Sequence, residues 1–369
     1  MTICSLAPPE MPDSRWKRSL RRRLLTWFQD HARDLPWRRT RDLYHIWVSE
    51  TMLQQTQVAT VVPYFQRFVE RFPNITSLAA ADEEDVLRLW EGLGYYRRAR
   101  NLHRAAQQVV QQHHAQFPAD FDTLLSLPGI GRYTAGAILS IALDQRLPIL
   151  EANTTRVLSR LLAFHGDPSQ RVGQHLLWAF SESLLPRKRV GEFNQSLMEL
   201  GSEICIPRKP NCERCPVRML CAAHRQGEQL SIPISRRRTQ TEHVVEAAVV
   251  IRRGSRVLLR RHEDRERWAG LWDFPRFPFD PDATNNGHQQ LVDKSRELTG
   301  FEIEPVRQLT TIQHGVTRFQ ITLQCHLAQC VSGRKRGPHL SWRMPHELEY
   351  LPLSVTARKI GRLVAKLAD

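Results

Sequence analysis

The run Leu127-Pro128-Gly129-Ile130-Gly131-Arg132-Tyr133-Thr134-Ala135-Gly136 decides how the first part of this chain is read. It follows one helical stretch and opens another. Glycines at 129 and 131 predict a sharp turn with positive φ that brings backbone N–H groups close to a ligand. The start of the next helix adds the positive end of its dipole. Together they make an anion site that needs no side-chain charge and suits a phosphate. A lone Gly-x-Gly occurs in many helix–turn–helix connections, whereas Leu-Pro-Gly-x-Gly-Arg ahead of a small-residue helix is far more restrictive.

Outward from this run, the pattern is helical from Trp16 to about Leu220. Apolar residues recur at three- and four-residue spacings in Val86–Glu91, Ala99–His113, Thr134–Leu143, Thr155–Leu162 and Gln174–Leu185. Asp82-Glu83-Glu84-Asp85 opens a helix with acids in its first turn, as the dipole prefers. After Cys221 the texture changes. Gly227 to His243 is polar and basic, with Pro233 and Arg236-Arg237-Arg238. Beyond it Val244–Ile251, Val257–Leu259, Thr311–Ile312 and Arg318–Leu327 read as strands, and Ser295–Leu298 closes a short helix. The expected organisation is a loose tail over 1–14, an all-α domain over 15–226, a basic linker over 227–243 and an α+β domain over 244–369.

The 369 residues are 41% apolar and 25% charged, which excludes a wholly disordered chain. No apolar run reaches the ~18–20 residues that cross a bilayer. Met1 to Asp30 lacks the uninterrupted apolar stretch of a secretory leader. A cytosolic protein with no membrane association is expected, or a nuclear one if the organism has a nucleus. The net charge of +15, dominated by Arg, points to a polyanionic partner rather than to a fold.

Four of the seven cysteines, Cys205, Cys212, Cys215 and Cys221, are spaced C-x6-C-x2-C-x5-C within a loop over 205–221. Four thiolates in one short loop can wrap a tetrahedral zinc or a cubane iron–sulfur cluster. A single C-x2-C pair with unequal outer spacings favours the [4Fe–4S] cluster. Arg208, Lys209, Arg218 and Arg225 make the loop basic, which suits a phosphate backbone or compensates the thiolates.

The hairpin and the four-cysteine loop together resemble the endonuclease III, or helix-hairpin-helix, superfamily of DNA glycosylases. Ile46-Trp47-Val48-Ser49-Glu50-Thr51-Met52-Leu53-Gln54-Gln55-Thr56-Gln57-Val58 and Gly92-Leu93-Gly94-Tyr95-Tyr96 resemble the MutY-type adenine glycosylases. The likeness runs from about Leu35 to Cys221 and continues more faintly beyond. It implies a monomer acting on double-stranded DNA that carries adenine opposite 8-oxoguanine or guanine.

Adenine leaves readily only when protonated, so the reaction needs a carboxylic acid that keeps its proton near neutral pH. A free glutamate, with a pKa of about 4.3, does not. Apolar surroundings raise it, and Glu50 lies among Ile46, Trp47, Val48, Met52 and Leu53. On residues alone a surface helix glutamate is the favoured reading; the resemblance makes it the general acid. The resemblance also places a second carboxylate near the sugar cation. Here Leu150-Glu151-Ala152-Asn153 stands where the family has Leu-Asp-Gly-Asn. Glu151 is one methylene longer, or else a helix-start acid. Asn153 is expected to orient the water or this carboxylate. Tyr133 stands where endonuclease III has its lyase lysine, which implies a monofunctional enzyme. Gln195, and with it Trp37 and Arg38, match adenine contacts. Gly129 and Gly131 would hold phosphate, and Gln55 and Tyr95 would be wedges filling the gap left by an extruded base.

Gly270-Leu271-Trp272-Asp273-Phe274-Pro275 and Arg296-Glu297-Leu298-Thr299-Gly300-Phe301 resemble a Nudix fold without the further glutamates that hold magnesium. Pyrophosphate hydrolysis is therefore not expected. Where the family reads 8-oxoguanine with Phe-Ser-His, this chain has Val316-Thr317-Arg318. Thr317 keeps a hydroxyl for the oxidised base edge. Two alternatives stand beside this reading: a glycosylase of the same fold with another lesion preference, and a mismatch-binding protein with weak catalysis.

Overall fold

The computed structural model describes residues 9–234, 241–281 and 287–366. The Arg236-Arg237-Arg238 run and residues 1–8 of the expected tail lie outside this set. The chain divides into two compact units, Met1–Ala80 with Asn101–Arg238, and Ala81–Arg100 with Thr239–Asp369. No described helix is long and apolar enough to cross a membrane.

The first unit is helical. Asp13 caps the helix Ser14–His31 by accepting from the Trp16 amide at 2.7 Å. Leu20, Leu24, Trp27 and Phe28 recur at helical spacing, so they share one face. That face packs into a core with Phe180, Leu184, Phe193 and Leu197. The helix Leu43–Leu53, capped by Asp42, buries most of its surface. Phe121–Ser126 and Arg132–Leu143 form the helical hairpin. Gly129 has φ +81°, and a Cβ there would stand 2.8 Å from Cβ of Asn101, so only glycine fits. Gly131 departs from the expectation. Its φ is −102°, because it is the N-cap of the next helix rather than part of the turn. It provides no side-chain cap, and nothing lies within 4 Å of a Cβ built on it, so the amide end of that helix opens to whatever approaches.

The second unit contains a seven-stranded sheet: β1 Glu242–Arg253, β2 Arg256–Arg261, β3 Trp272–Asp273, β4 Arg276–Pro278, β5 Phe301–Val316, β6 Phe319–Gly333 and β7 Leu340–Arg343. The order is β3-β2-β1-β6-β5, with β4 on β1 and β7 on β2. β1 runs parallel to β6, and the other pairs are antiparallel. Along β1, Ala248 and Val250 enter one core while Ala247, Val249 and Ile251 enter the other. A strand covered on both faces reads as a continuous apolar run. The helix Val355–Ala365 supplies Ala357, Ile360 and Val364 to the first core, and the helix Gly287–Thr299 supplies Leu291 to the second. That second helix is 13 residues long, well beyond the short element anticipated. β1 begins at Glu242, inside the stretch read as linker.

Candidate active site

Glu50 sits in the last turn of the helix Leu43–Leu53 and is 5% exposed. Tyr133, in the first turn of the hairpin helix, donates its hydroxyl to Glu50 Oε2 at 2.6 Å. Burial pushes Glu50 up to about 7; the Tyr133 hydrogen bond and Arg38 oppose this, and the charge of Glu151 adds to it. Burial raises the Tyr133 hydroxyl as well, so it stays a donor.

Glu151 is the N-cap of the helix Ala152–Leu162. Oε2 accepts from the Asn153 amide and Oε1 from the Thr154 amide, both at 2.7 Å. The Thr154 hydroxyl accepts from the Glu151 amide in return, closing a reciprocal box. The longer arm thus bends back onto its own helix. Burial raises this carboxyl, while the two amides and Arg156 pull it down. The helix-start role and a place in the site both hold for Glu151. Asn153 Oδ1 accepts from Arg156 at 2.8 Å.

Trp37, Arg38, Glu50, Tyr133, Glu151, Asn153 and Gln195 all line one cavity of about 140 Å³. Glu199, Arg33 and Met198 line it too and were not singled out from the sequence. Glu199 is 1% exposed and accepts from Arg33 at 2.8 and 2.7 Å and from Arg38 at 2.8 Å. Burial alone would raise it, but the two guanidiniums outweigh burial and hold it at about 2. Its four-residue spacing from Gln195, which puts both on one helix face, was the available signal.

The remaining candidates lie elsewhere. Gln55 and Tyr95 are exposed and have φ of +58° and +49°. A left-handed backbone is uncommon for such residues. Tyr96, beside Tyr95, is the buried aromatic of the pair. Thr317 and Arg318 form the two-residue turn between β5 and β6, flanked by the pair Val316–Phe319. Thr317, at φ +54°, is exposed and donates to the Val316 carbonyl at 2.7 Å. Glu297 is exposed and paired with Lys294.

Cys205, Cys212, Cys215 and Cys221 are unpaired and line one cavity with Arg160 and Ile204. Among the described residues no three His, Cys, Asp or Glu side chains gather tightly enough to hold a single metal ion. The loop is tied to the helix of Asn153. Arg156 donates to the Cys205 carbonyl at 2.6 Å, and the buried Arg160 to the Ile206 and Pro207 carbonyls at 2.9 Å and to Cys205 Sγ at 3.2 Å.

A buried acid thus faces a phenol and a second carboxylate, beside a helical hairpin open at its amide end. Residues 48–182 match the HhH-GPD superfamily of base excision DNA repair proteins, and residues 247–362 match the NUDIX domain. The adenine DNA glycosylase of Buchnera aphidicola subsp. Schizaphis graminum is 38% identical over 69% of this chain and 74% of its own. Those of Rattus norvegicus and Homo sapiens are 33% identical over 94% and 92% of this chain, and 78% and 73% of their own. A solved thermostable thymine-DNA glycosylase superposes at TM-score 0.53, with 27% identity, over 57% of this chain and 98% of its own. A trapped endonuclease III–DNA intermediate, at TM-score 0.51, 21% identity, and 59% and 99% coverage, shares the fold. The class is therefore a base-excision DNA glycosylase with a C-terminal Nudix domain. Within that class the chain belongs to the adenine DNA glycosylase family and is an N-glycosidase.

Proposed function

We propose that this enzyme hydrolyses the N-glycosidic bond of adenine mispaired with 8-oxoguanine or guanine in double-stranded DNA, without a lyase step. The observation that carries the reading is Glu50, a buried acid held near 7 and hydrogen-bonded to a phenol. Tyr133 occupies Oε2 and leaves Oε1 to bear the proton. Glu50 gives that proton to N7 of the extruded adenine. The C1′–N9 bond then breaks with its electron pair passing to the purine, and Glu151 steadies the cationic sugar. Water adds to C1′ and returns its proton to Glu50, which closes the cycle. Asn153 orients the water, Gln195 and Arg38 hold the base, and Tyr133 offers no amine for a Schiff base.

Gly129 and Gly131 fit a DNA phosphate, Gln55 and Tyr95 fit wedges, and Thr317 on its exposed turn fits a reader of the oxidised base. On this reading residues 15–226 catalyse and 244–369 recognise. The four cysteines line one cavity, and their spacing suits a [4Fe–4S] cluster. When bound, the cluster would supply a rigid cross-link, and Arg156 and Arg160 tie its loop to the helix of Glu151. The enzyme works as a monomer, in the nucleoid of a bacterium or in a nucleus.

A single-turnover assay on duplexes with adenine opposite 8-oxoguanine, guanine or cytosine tests the proposal. Release from the first two only is expected. Tight binding with no release would leave a mismatch-binding protein, and release from a different mispair would leave another lesion preference. Iron and sulfide assays of the purified protein test the cluster.

A further inference from the structure

A second and larger cavity, of about 360 Å³, adjoins the one that holds Glu50. The two share Arg33, Arg38, Ile141 and Gln195 as walls. Three segments pass from one to the other in the same sense. Along the hairpin helix Tyr133 lines the first, Ile141 both, and Asp144, just past its end, only the second. Along the helix Val190–Glu199, read backwards, Met198 and Glu199 line the first, Gln195 both, and Glu192 and Gly191 only the second. In the loop before the helix Leu43–Leu53, Trp37 lines the first, Arg38 both, and Arg39 to Arg41 only the second.

This arrangement fixes a direction. Tyr133 is one residue past the start of the hairpin helix and Asp144 caps its other end. At 1.5 Å per residue they stand roughly 16 Å apart along the axis. The second cavity is thus at the end of the helix opposite the phosphate-binding turn. A nucleotide whose phosphates rest on that turn enters the first cavity from the turn side. After bond cleavage its sugar still closes that side, and the freed base faces the second cavity.

We propose that the second cavity is the exit of the excised purine, which leaves through it while the abasic strand is still bound. The inference rests on the glycosylase reading above. The wall chemistry suits a neutral, planar heterocycle better than an anion, because its cations are largely matched. Arg39 pairs with Asp34, Arg189 with Glu192 at 2.6 Å, and Arg33 and Arg38 with Glu199. Asp144 accepts from the amides of Arg189 and Gly191 at 2.9 and 3.1 Å. These mixed donors and acceptors match purine edges, whereas a phosphate site would leave its cations uncommitted. Arg38 is pinned by Glu199 Oε2 and by the Arg33 carbonyl at 3.1 Å, so Gln195 is the side chain that turns aside.

Ala32 and Thr40 line the second cavity and not the first, so Ala32→Trp and Thr40→Trp fill the exit and spare the chemistry. The probe is a duplex with radiolabelled adenine opposite 8-oxoguanine. Rapid quench reads bond cleavage, and rapid gel filtration of unquenched enzyme reads whether labelled base has left the DNA-bound fraction. In the unmodified enzyme the base is expected to leave before the strand. In the filled variants cleavage stays within about twofold while base escape slows by about tenfold or more. Escape at an unchanged rate in both folded variants, or a base that leaves only together with the strand in the unmodified enzyme, overturns the exit. Ala32→Leu, a smaller filling, serves if either tryptophan lowers the melting temperature. Absence of any cleavage by the unmodified enzyme would instead refute the glycosylase reading, and the exit with it.

Discussion

Buried carboxylates in the two units are treated in opposite ways. In the C-terminal unit Asp273 is fully buried, and burial would raise it. His262, Arg276 and the Ser354 hydroxyl, at 2.7 Å, bring it below the ordinary range instead. Glu266 is likewise held at about 2, His262 and Arg260 outweighing burial. Glu246 pairs with Arg276, whose guanidinium also lies 4.2 Å over the Trp268 ring. Every one of these acids has a cation. In the helical unit Glu199 follows the same rule, but Glu50 has a phenol and a neighbouring negative charge, and Arg38, committed to Glu199, only weakly offsets its burial. A buried acid without an ion-pair partner is costly, and such groups cluster at functional sites. The Nudix sheet, by contrast, spends its buried charge on holding itself together.

The largest effect expected from this contrast is at Glu50. Glu50→Gln keeps the shape and removes the proton, so single-turnover release should fall by about 10³-fold with duplex binding retained. Full activity in that variant would end the assignment. The acid form is the active one, so the rate should be flat below about 7 and fall above it. The stability linkage has the same sign. The folded value is raised above the ordinary 4.5, so this group's contribution is fully present below that value and lost as pH rises through about 7. At about 1.4 kcal/mol per unit, an ionised Glu50 costs on the order of 3 kcal/mol. Glu50→Gln should therefore melt at a higher temperature than the unmodified enzyme at pH 8, and the gap should close at pH 5.

Glu151 comes next. Its negative charge is supported by two amides first and by the more distant Arg156 second, so it stands between the two patterns. Glu151→Gln should slow release by about a hundredfold, whereas Glu151→Asp keeps the charge and should retain most activity. If Gln and Glu performed alike, the residue would be a helix cap only, and its loss would show as about 1 kcal/mol of stability.

The sequence made some of this contrast legible and hid the rest. The helical hairpin could be read because Gly129 has no substitute there. The reading failed at Gly131 because an N-cap glycine and a turn glycine look alike in one dimension. The apolar neighbours of Glu50 hinted at its burial, but residues alone favoured a surface helix glutamate, and the family resemblance decided the reading. The pairing of Glu199 gave no such hint, since Arg33 is 166 residues away in the chain. Strand β5 was glimpsed only at Thr311–Ile312, because it is a sheet edge with Gln308, Gln313 and His314 along it and a mostly half-exposed pattern. The left-handed backbones of Gln55, Tyr95 and Thr317 have no sequence signature at all.

In the C-terminal unit the same contrast predicts a loss of stability rather than of chemistry. Arg276→Met would leave Glu246 to the part-exposed Arg267 and Asp273 to His262, with the guanidinium between them gone. Removing one partner of a buried pair costs about 3–5 kcal/mol. The C-terminal unit should melt earlier by calorimetry, and a melting curve identical to the unmodified protein's would show that these charges are solvated and the contrast false.

The smallest effect is expected at the β5–β6 turn, where the proposed reading places Thr317 against the oxidised base. Thr317 is exposed and already strained, and its hydroxyl reaches only the neighbouring carbonyl. Nothing buried depends on it, so Thr317→Ala should leave the melting temperature unchanged. A single hydrogen bond to the oxidised base is worth about 1 kcal/mol, so the preference for 8-oxoguanine over guanine should shrink by about three- to tenfold. The saturated single-turnover rate should not move, because the group acts on recognition and not on the glycosidic bond. An unaltered preference would place lesion reading elsewhere on the turn, with the Arg318 guanidinium the next group to substitute.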